Sequence, residues 1–460
     1  MSDDQTLHIA MYPWFAMGHL TAYLHISNKL AERGHKISFF LPLKTQSKLQ
    51  HYNLHPHLIT FIPLNVPHVD GLPVGAETTA DIPLSLGSLL ATAMDLTRPQ
   101  IEQSLLKLKP DFVFFDFSHW LPALLRQLGN NIKSVGYWVI NPASVWYLLS
   151  LGLPRKIPLD EADAARPLLC FSSSFSIKLR THEARAYDAM ANKEFGSGLR
   201  FGKRILTSFS DCDAICFKTC REFAGPFCNY FEIQMNKPVI LAGPVVPDLP
   251  SSRLEEKWAK WLGGFEPRTV IFCALGSEYI LTKQQLQQLL LGFELTGLPF
   301  FAALKPPTGV ESIESALPEG FEMRLKGKGV VHGGWVQQPL ILNHPSVGCF
   351  VTHCGSGSLN EALVNECQLV LLPHVGDHVI NARIMSGDLK VGVEVEKGDE
   401  DGLFTKEGVC KAVKAVMDGD SEVGKEVRTN HAKWREFFSN KGLESSYIDG
   451  FVQKLHELLG

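Results

Sequence analysis

Two polar residues that follow apolar runs in the first half of the chain could carry out acid–base chemistry. His19 follows Gly18 where a strand pattern gives way to a helix pattern. A helix N-terminus disfavours the charged imidazolium, which leaves a neutral ring able to accept a proton. Asp116 ends the apolar run Phe112–Phe115, and a carboxylate there could bind the second ring N–H of a histidine and fix its tautomer. From position alone, His19 could equally be a polar residue near a helix start, and Asp116 could cap a helix beginning near His119.

The sequence shows no cluster of metal ligands and no paired-carboxylate motif. We therefore expect no metal site, and a histidine is the natural candidate for a general base.

A Gly/Ser-rich turn in the second half predicts a phosphate site. The run Val347–Thr352 is short, apolar and rich in β-formers, as in a strand buried on both faces. It breaks at residues 353–358, where Gly355 and Gly357 allow a tight turn and a close approach of the backbone to a ligand. A helix pattern follows over residues 359–365. Because free N–H groups and the helix dipole both favour negative charge at a helix start, a phosphate is the expected ligand.

The residues around this turn indicate which phosphate compound binds. Asn360 stands where a dinucleotide fingerprint needs a third glycine, and the Gly-Lys-Ser/Thr of a P-loop is absent. Trp335 lies about a strand before the turn and could stack on a flat base, while Glu361 could accept hydrogen bonds from ribose hydroxyls. Asp377 and His378 end the next βα step, at an edge where open α/β sheets bind ligands. These residues suit, in order, a base, a ribose, a diphosphate and a further polyol. A nucleotide sugar has these groups in this order.

These residues resemble the signature box of the plant UDP-dependent glycosyltransferases (family 1), which opens with W-x-P-Q, contains H-C-G-W-N-S-x-x-E and closes with D-Q. The resemblance covers nearly the whole chain, and its S-G-S turn, F-A-M-G-H-L-T and N-E-C-Q-L-V-L-L-P are similar to the branch that adds a second sugar to flavonoid or anthocyanin glycosides. The matching positions are Trp335, Gln338, His353, Cys354, Gly355, Ser358, Glu361 and Asp377.

Four positions depart from the family box. Gln337 replaces its proline, Ser356 its tryptophan, Gly357 its asparagine and His378 its final glutamine. The family's tryptophan and asparagine contacts therefore cannot be transferred to this chain. Members that use galactose or some pentoses carry histidine at the last position, so glucose, galactose, xylose, arabinose and rhamnose all stay open as the donor sugar.

The resemblance assigns roles to individual residues. It implies that His19 is the catalytic base and Asp116 its partner, in a direct displacement that turns a UDP-α-sugar into a β-glycoside. The sugar of a flavonoid or anthocyanin 3-O-glycoside is the expected acceptor, and the UDP-sugar is a co-substrate, with no cofactor. The predicted donor-binding residues are Ser277, Trp335, Val336, Gln338, His353, Gly355, Ser356, Gly357, Ser358, Glu361, Asp377 and His378.

Acceptor binding is expected to involve aromatic residues, because flat phenolic rings suit an aromatic lining. Such residues are more often core, and that alternative stays open. The predicted acceptor-binding residues are Trp14, Phe15, Trp138 and His374.

Alternating strand and helix patterns must position these groups, and they predict two doubly wound, Rossmann-like domains with parallel sheets. The resemblance implies the GT-B fold, in which the two domains face each other across a cleft and a last helix at 443–459 returns to the first domain. We expect an N-terminal acceptor domain at 1–242, a Pro-rich linker at 243–257, a UDP-sugar domain at 258–440 and the returning helix in 441–460. The predicted strands are 7–13, Lys36–Pro42, 58–64, 111–116 and 134–140, then 269–275, 300–304, 329–335, Val347–Thr352, 369–373 and 391–396.

Composition excludes several other classes of protein. A net charge of −4 over 460 residues gives no sign of nucleic-acid or anionic-membrane binding, and no apolar run is long enough to span a bilayer. Ten cysteines without C-x-x-C pairs suit reduced thiols in the cytoplasm, where we expect a monomer.

The alternatives to the predicted function are a nucleotide-sugar-binding homologue without turnover, or a glycosyltransferase acting on an aglycone or a terpenoid glycoside.

Overall fold

The computed structural model describes residues 6–129, 131–152, 177–244, 246, 252–276 and 279–460. The chain forms two compact units. The first contains the described residues within Met1–Lys156, Tyr187–Val245 and Lys441–Gly460. The second contains those within Ile157–Ala186 and Val246–Asn440.

The first unit is built on a seven-stranded sheet in the order β3-β2-β1-β4-β5-β6-β7, with every neighbouring pair parallel. Its central strands are continuous apolar runs, as expected for strands covered by helices on both faces. The strand order reverses between β1 and β4, where ligands bind in doubly wound sheets. The strands are β1 His8–Tyr12, β2 Lys36–Pro42, β3 Ile59–Leu64, β4 Phe112–Phe115, β5 Lys133–Trp138, β6 Ala214–Phe217 and β7 Val239–Leu241.

The second unit repeats this plan with a six-stranded parallel sheet in the order β10-β9-β8-β11-β12-β13. Here the order reverses between β8 and β11, and Thr352 pairs with Ala274 at their carboxyl ends. The strands are β8 Val270–Ala274, β9 Phe300–Ala303, β10 Gly329–His332, β11 Val347–Thr352, β12 Gln368–Leu371 and β13 Gly392–Glu394.

Helices follow most of the strands and cover both sheets. The described α-helices are α1 Met17–Ala31, α2 Gln46–Leu49, α3 Gly87–Asp95, α4 Arg98–Leu108, α5 Leu121–Leu128, α6 Pro142–Gly152, α7 Thr181–Asn192, α8 Phe201–Asp211, α9 Arg221–Met235, α10 Glu256–Leu262, α11 Lys283–Thr296, α12 Phe321–Leu325, α13 Gln338–Leu342, α14 Ser356–Leu363, α15 Asp377–Arg383, α16 Lys406–Met417, α17 Glu422–Phe438 and α18 Lys441–Leu459. None of them is both long and apolar enough to cross a membrane.

The prediction of two doubly wound parallel domains is confirmed. Two strands that the sequence did not predict, β6 and β7, complete the first sheet, and they are only four and three residues long. Such short apolar runs carry too little periodicity to be told from loops. The helix after the Gly/Ser turn begins at Ser356, three residues before the predicted start, so three of the turn residues lie inside its first turn.

The unit bounds differ from the predicted domain bounds at one segment. Described residues 177–186 group with the second unit, although the predicted range 1–242 places them in the first. Two ion pairs explain this grouping: Arg180 Nη1 lies 2.7 Å from Glu394 Oε1, and Arg383 Nη2 lies 2.7 Å from Glu183 Oε2. Such long-range pairs leave no local signal in the sequence.

Helix α18 packs into the core of the first unit. Ile448, Phe451, Val452 and Leu455 belong to the same buried cluster as residues of β1, β2 and β4. The Phe451 ring meets the Phe114 ring edge-on, with centroids 5.9 Å apart. This nineteen-residue helix therefore helps to bury the sheet of the first unit.

The packing of α18 predicts a stability effect of Phe451→Ala. Removing a ring that is 1% exposed leaves a cavity, so the free energy of unfolding should fall by about 3–5 kcal/mol. Gln453→Ala, at an exposed position on the same helix, is the matched control and should change it by less than about 0.5 kcal/mol. Urea unfolding followed by circular dichroism measures both, and equal midpoints for the two variants would contradict this packing.

Candidate active site

His19 and Asp116 form a hydrogen-bonded pair at the point where the first sheet reverses its order. His19 is the third residue of α1, which follows β1, and Asp116 directly follows β4. Since β1 and β4 are parallel neighbours, their carboxyl ends bring the two side chains to one edge. His19 Nδ1 lies 2.6 Å from Asp116 Oδ2. The sequence predicted this pair of residues, and the tertiary structure brings them together.

The Asp116 carboxylate is fully buried, and each oxygen has a donor. Oδ2 faces His19 Nδ1, while Oδ1 accepts from the backbone N–H of Trp14 at 2.8 Å and of Phe117 at 2.7 Å. An ionised carboxylate only accepts hydrogen bonds, so Nδ1 of the imidazole carries the proton and Nε2 is left as the acceptor. The alternative of Asp116 as a helix cap is wrong, because α5 begins at Leu121 with Trp120 at its N-cap.

Aromatic rings lie beside this pair. The Phe117 ring centroid is 5.6 Å from that of His19, and it lies 5.4 Å from Trp14, 5.9 Å from Phe195 and 5.7 Å from Phe201. Phe195 and Phe201 meet edge-on at 4.8 Å and remain partly exposed. Phe117 and Phe195 were not among the predicted site residues. Phe117 follows the predicted Asp116 directly, which is a usable signal, whereas Phe195 gave none.

Two of the predicted acceptor-binding residues lie in the core instead. Phe15 and Trp138 are both 0% exposed, and the Trp138 ring stacks on Phe209 with centroids 4.4 Å apart. Rings without exposed surface cannot contact an acceptor, so these two positions support the sheet. Trp14 is 5% exposed, and its backbone N–H binds Asp116. Aromatic type alone did not separate lining residues from core residues.

In the second unit, His353 is held between two glycines at the carboxyl ends of β8 and β11. A Cβ at Gly276 would lie 2.7 Å from His353 Nε2, and one at Gly355 would lie 2.5 Å from the same atom. A side chain at either position would therefore displace the His353 ring, and Gly276 also has a φ of +74°, which favours glycine. Cys354, which lies between His353 and Gly355, is buried and has a φ of 69°, a strained conformation for a residue with a side chain. These contacts and positive φ angles restrict the turn to a single backbone conformation.

The turn leads into the N-terminus of α14, where a phosphate could bind. Gly355 is the N-cap and supplies no capping side chain, and the first turn contains no acidic residue. The N–H groups of Ser356, Gly357 and Ser358 begin the helix there, so a phosphate would meet several donors and the positive end of the dipole. Gly357 is exposed, and a Cβ there would meet nothing within 4 Å.

One glutamine links the residues expected at the ribose and the phosphate. Gln338 Nε2 donates to Ser358 Oγ at 3.0 Å and to Glu361 Oε2 at 2.8 Å. Trp335 lies nearby in sequence and is 74% exposed, which is unusual for an indole and leaves its faces free for stacking. Its neighbour Val336 is buried and anchors the segment.

Three predicted residues cluster beyond the turn, at the start of α15. The rings of His353 and His378 meet edge-on with centroids 4.7 Å apart, and His374 stacks on Tyr279 at 4.0 Å. Asp377 Oδ2 accepts from Asn381 Nδ2 at 3.0 Å, and the same amide donates to the carbonyl oxygen of Cys354 at 3.0 Å. Asn381 was not predicted, although its i, i+4 spacing from Asp377 was visible in the sequence.

Burial makes this cluster of histidines neutral. Desolvation and the neighbouring His378 lower the pKa of His353 to about 3, and desolvation and Lys397 lower the pKa of His378 to about 4. Burial and Lys397 also hold the pKa of His374 well below its usual value. Lys397 itself donates to the carbonyl oxygen of Pro373, and burial lowers its pKa to about 8. These imidazoles can therefore donate or accept single hydrogen bonds without carrying charge.

Ser277 lies outside the described residues. Among the described residues, no group of three or more His, Cys, Asp or Glu side chains could hold a metal ion.

Comparison with known proteins places this site in a family. The family model described as UDP-glucoronosyl and UDP-glucosyl transferase matches residues 325–428, which contain the turn and α15. The chain is 62% identical over 458 residues to cyanidin 3-O-galactoside 2''-O-xylosyltransferase of Actinidia chinensis var. chinensis, covering 99% of both chains. It is 56% identical over 462 residues to anthocyanidin 3-O-glucoside 2''-O-glucosyltransferase of Ipomoea nil, covering 100% of both.

The fold agrees with these relationships. The structure matches that of UDP-glucose: anthocyanidin 3-O-glucosyltransferase in complex with UDP with a TM-score of 0.78 at 22% identity, covering 99% of both chains. With identity above half over the full length of two curated relatives, the predicted resemblance is confirmed. The chain belongs to the family of UDP-dependent glycosyltransferases with the GT-B fold, and it is an enzyme that uses a UDP-sugar as co-substrate.

Proposed function

We propose that this enzyme transfers a sugar to a hydroxyl on the sugar of a flavonoid or anthocyanin 3-O-glycoside, with His19 as the base. The acceptor class is inferred from the two relatives, whose names describe transfer to the 2'' position of anthocyanidin 3-O-glycosides. The observation that carries the catalytic role is the 2.6 Å contact between His19 and buried Asp116. A protein that only bound nucleotide sugars would need neither residue.

His19 Nε2 removes the proton from the acceptor hydroxyl as that oxygen attacks the anomeric carbon. The new C–O bond forms while the bond from the anomeric carbon to the β-phosphate oxygen breaks, and UDP leaves with the bonding electrons. Because attack and departure occur on opposite faces, an α-linked donor gives a β-glycoside. Asp116 keeps Nδ1 protonated and stabilises the imidazolium that forms.

The second unit supplies the donor side of the reaction. The N–H groups at the start of α14 and neutral His353 stabilise the charge that develops on the diphosphate. The exposed Trp335 stacks on the base, and Glu361 accepts from the ribose hydroxyls, with Gln338 fixing its carboxylate. Asp377 and His378 bind the hydroxyls of the sugar. Ser277 is assigned to the β-phosphate through the family resemblance alone.

The alternative of a homologue without turnover disagrees with the family assignment. The second candidate is a glycosyltransferase of the same family that acts on an aglycone or a terpenoid glycoside. Transfer assays with labelled UDP-sugar and a flavonoid 3-O-glucoside, its aglycone or a terpenoid glycoside separate these acceptors. The cytoplasmic location stays a prediction, supported by free thiols at all nine described cysteines. A monomeric state also stays a prediction.

The proposed base is tested with His19→Ala. Without an acceptor for the proton, kcat should fall by at least about 10²–10⁴-fold, whereas the affinity for UDP measured by calorimetry should stay within twofold. Asp116→Asn keeps the shape of the side chain but can stabilise the wrong tautomer, so it should lower kcat by a similar factor. His68→Ala, which alters an exposed histidine of the same unit, is the control and should leave kcat unchanged. Transfer surviving within a few-fold in His19→Ala would show that this histidine is not the base.

The role of His378 in choosing the donor sugar is tested with His378→Gln. Glutamine offers an N–H and a carbonyl oxygen on a flexible chain, so a different hydroxyl pattern should fit. We expect the ratio of kcat/KM for UDP-glucose to that for UDP-galactose and UDP-xylose to shift by about tenfold or more. A panel that includes UDP-arabinose and UDP-rhamnose measures the whole preference. An unchanged preference would exclude a contact between His378 and the donor sugar.

The lowered pKa of His378 also predicts how stability depends on pH. Its folded pKa of about 4 lies below the unfolded value of about 6.5, so between these values the unfolded chain binds the extra proton and stability falls as the pH falls. The residue is partly exposed, so this histidine contributes at most about 2 kcal/mol between pH 7.5 and pH 5. His378→Gln should remove that part of the loss, as measured by urea unfolding at both pH values. His68→Gln, at an exposed position, should lose as much stability as the wild type, and the same loss in His378→Gln would contradict the prediction.

A further inference from the structure

Arg204, on α8, is a buried arginine whose guanidinium is completely hydrogen-bonded. It is 1% exposed, and its hydrogen bonds go to Asp95 and to the backbone of Phe117, Phe195 and Gly196. Nη1 and Nη2 bind the two carboxylate oxygens of Asp95 at 2.9 and 2.6 Å, in the paired geometry that only arginine provides. The remaining N–H groups donate to backbone carbonyls, so all five donors of the side chain are used.

Those carbonyls belong to two chain segments that are far apart in sequence. Nε donates to Phe195 O at 2.8 Å, Nη1 to Phe117 O at 3.0 Å and Nη2 to Gly196 O at 3.0 Å. Gly196 has a φ of +87°, and a Cβ there would lie 2.8 Å from Arg204 Nη2, so only glycine permits this approach. One guanidinium thus fixes the backbone after β4 and the backbone before α8.

The Asp95 carboxylate is equally well satisfied. Besides Arg204, it accepts from Trp120 Nε1 at 2.9 Å and from Ser197 Oγ at 2.6 Å. Burial alone would raise the pKa of Asp95, but the hydrogen bonds and charge of Arg204 outweigh it and lower the pKa. The pair is therefore an ionised and fully bonded unit that ties α3 and α8 to the segment at Ser197.

The two fixed segments carry the rings that lie beside the base. Phe117 and Phe195 form, with Phe201 at the start of α8, the set of rings that we call the aromatic platform. Phe117 also donates its backbone N–H to Asp116 Oδ1, so its placement affects the catalytic pair. The hydrogen bonds of Arg204 go to Asp95 and to the backbone of the platform segments, so its influence on the reaction passes through the platform.

We propose that Arg204 is a positioning residue for acceptor binding: with Asp95 it holds the aromatic platform as a rigid surface for the flat ring system of the acceptor beside His19. This proposal deepens the proposed function and rests on its assignment of the acceptor side to the first unit. A lysine at this position would keep the charge but lose the fork that holds three carbonyls and a carboxylate at once.

The test compares Arg204→Lys with the wild type, using quercetin 3-O-glucoside as the probe. The Kd for the glycoside, measured by calorimetry, and its KM should rise at least about tenfold, while the Kd for UDP and the KM for the UDP-sugar stay within twofold. Arg126→Lys is the matched control, because that exposed arginine donates to a backbone carbonyl of the same unit, Asp211 O at 3.0 Å, without meeting the platform. A merely structural role would weaken glycoside and UDP binding together or leave both unchanged, and either result would overturn the proposal.

A second variant, with a smaller expected effect on stability, tests the proposal if Arg204→Lys does not fold. Ser197→Ala keeps the Cβ but removes one exposed hydroxyl from Asp95, without leaving a buried charge unpaired. It should raise the Kd for the glycoside about two- to fivefold, and an unchanged Kd would refute the proposal.

The same measurements separate this proposal from the proposed function. A wild-type enzyme that binds the glycoside in an Arg204-dependent way but transfers no sugar to it would refute the proposed function and support the positioning role. If the wild type transfers sugar to the glycoside and Arg204→Lys leaves the Kd for the glycoside unchanged, the proposed function is supported and the positioning role is refuted.

Discussion

The candidate base of the first unit depends on the burial of one carboxylate. Asp116 has lost its water, and a buried charge persists only where hydrogen-bond donors replace that water. Its donors come from the end of β1, from the first turn of α1 and from its own strand end. The carboxylate therefore fixes the tautomer of His19 and also joins the chain segments that surround it. A base that must hold one orientation needs this kind of support.

The second unit uses the same position in its sheet for different chemistry. Both sites lie where the strand order reverses, so in each unit the side chains after two central strands meet at one edge. In the first unit a charged carboxylate organises the site. In the second, the half-buried histidines are neutral, and glycines at 276 and 355 leave room for His353 beside the backbone turn. A diphosphate carries its own negative charge, so dipoles and N–H groups suit it and a carboxylate at the turn would not.

Much of the site could be predicted because its residues follow short apolar strands. The runs before Asp116 and His353 are unbroken, and a polar residue or glycine ends each one, so strand ends and turns were visible locally. The contacts that distant residues make with the site were not visible in the local sequence. Asp95 and Arg204 are 109 positions apart, and nothing near either one indicates the other. The choice between Phe117, which lies beside His19, and Trp138, which is buried against Phe209, also depends on neighbours that the sequence does not specify.

The sequence by itself determined the family, the alternating order of strands and helices, and the chemical types at the strand ends. It did so because strand length, glycine content and the signature box are properties of neighbouring residues. Only the tertiary structure decided that residues 97 positions apart share a 2.6 Å hydrogen bond, and that one arginine holds two separate backbone segments. Contacts of this kind depend on which strands lie side by side, and that order is fixed by the packing of the whole sheet rather than by any local stretch of chain.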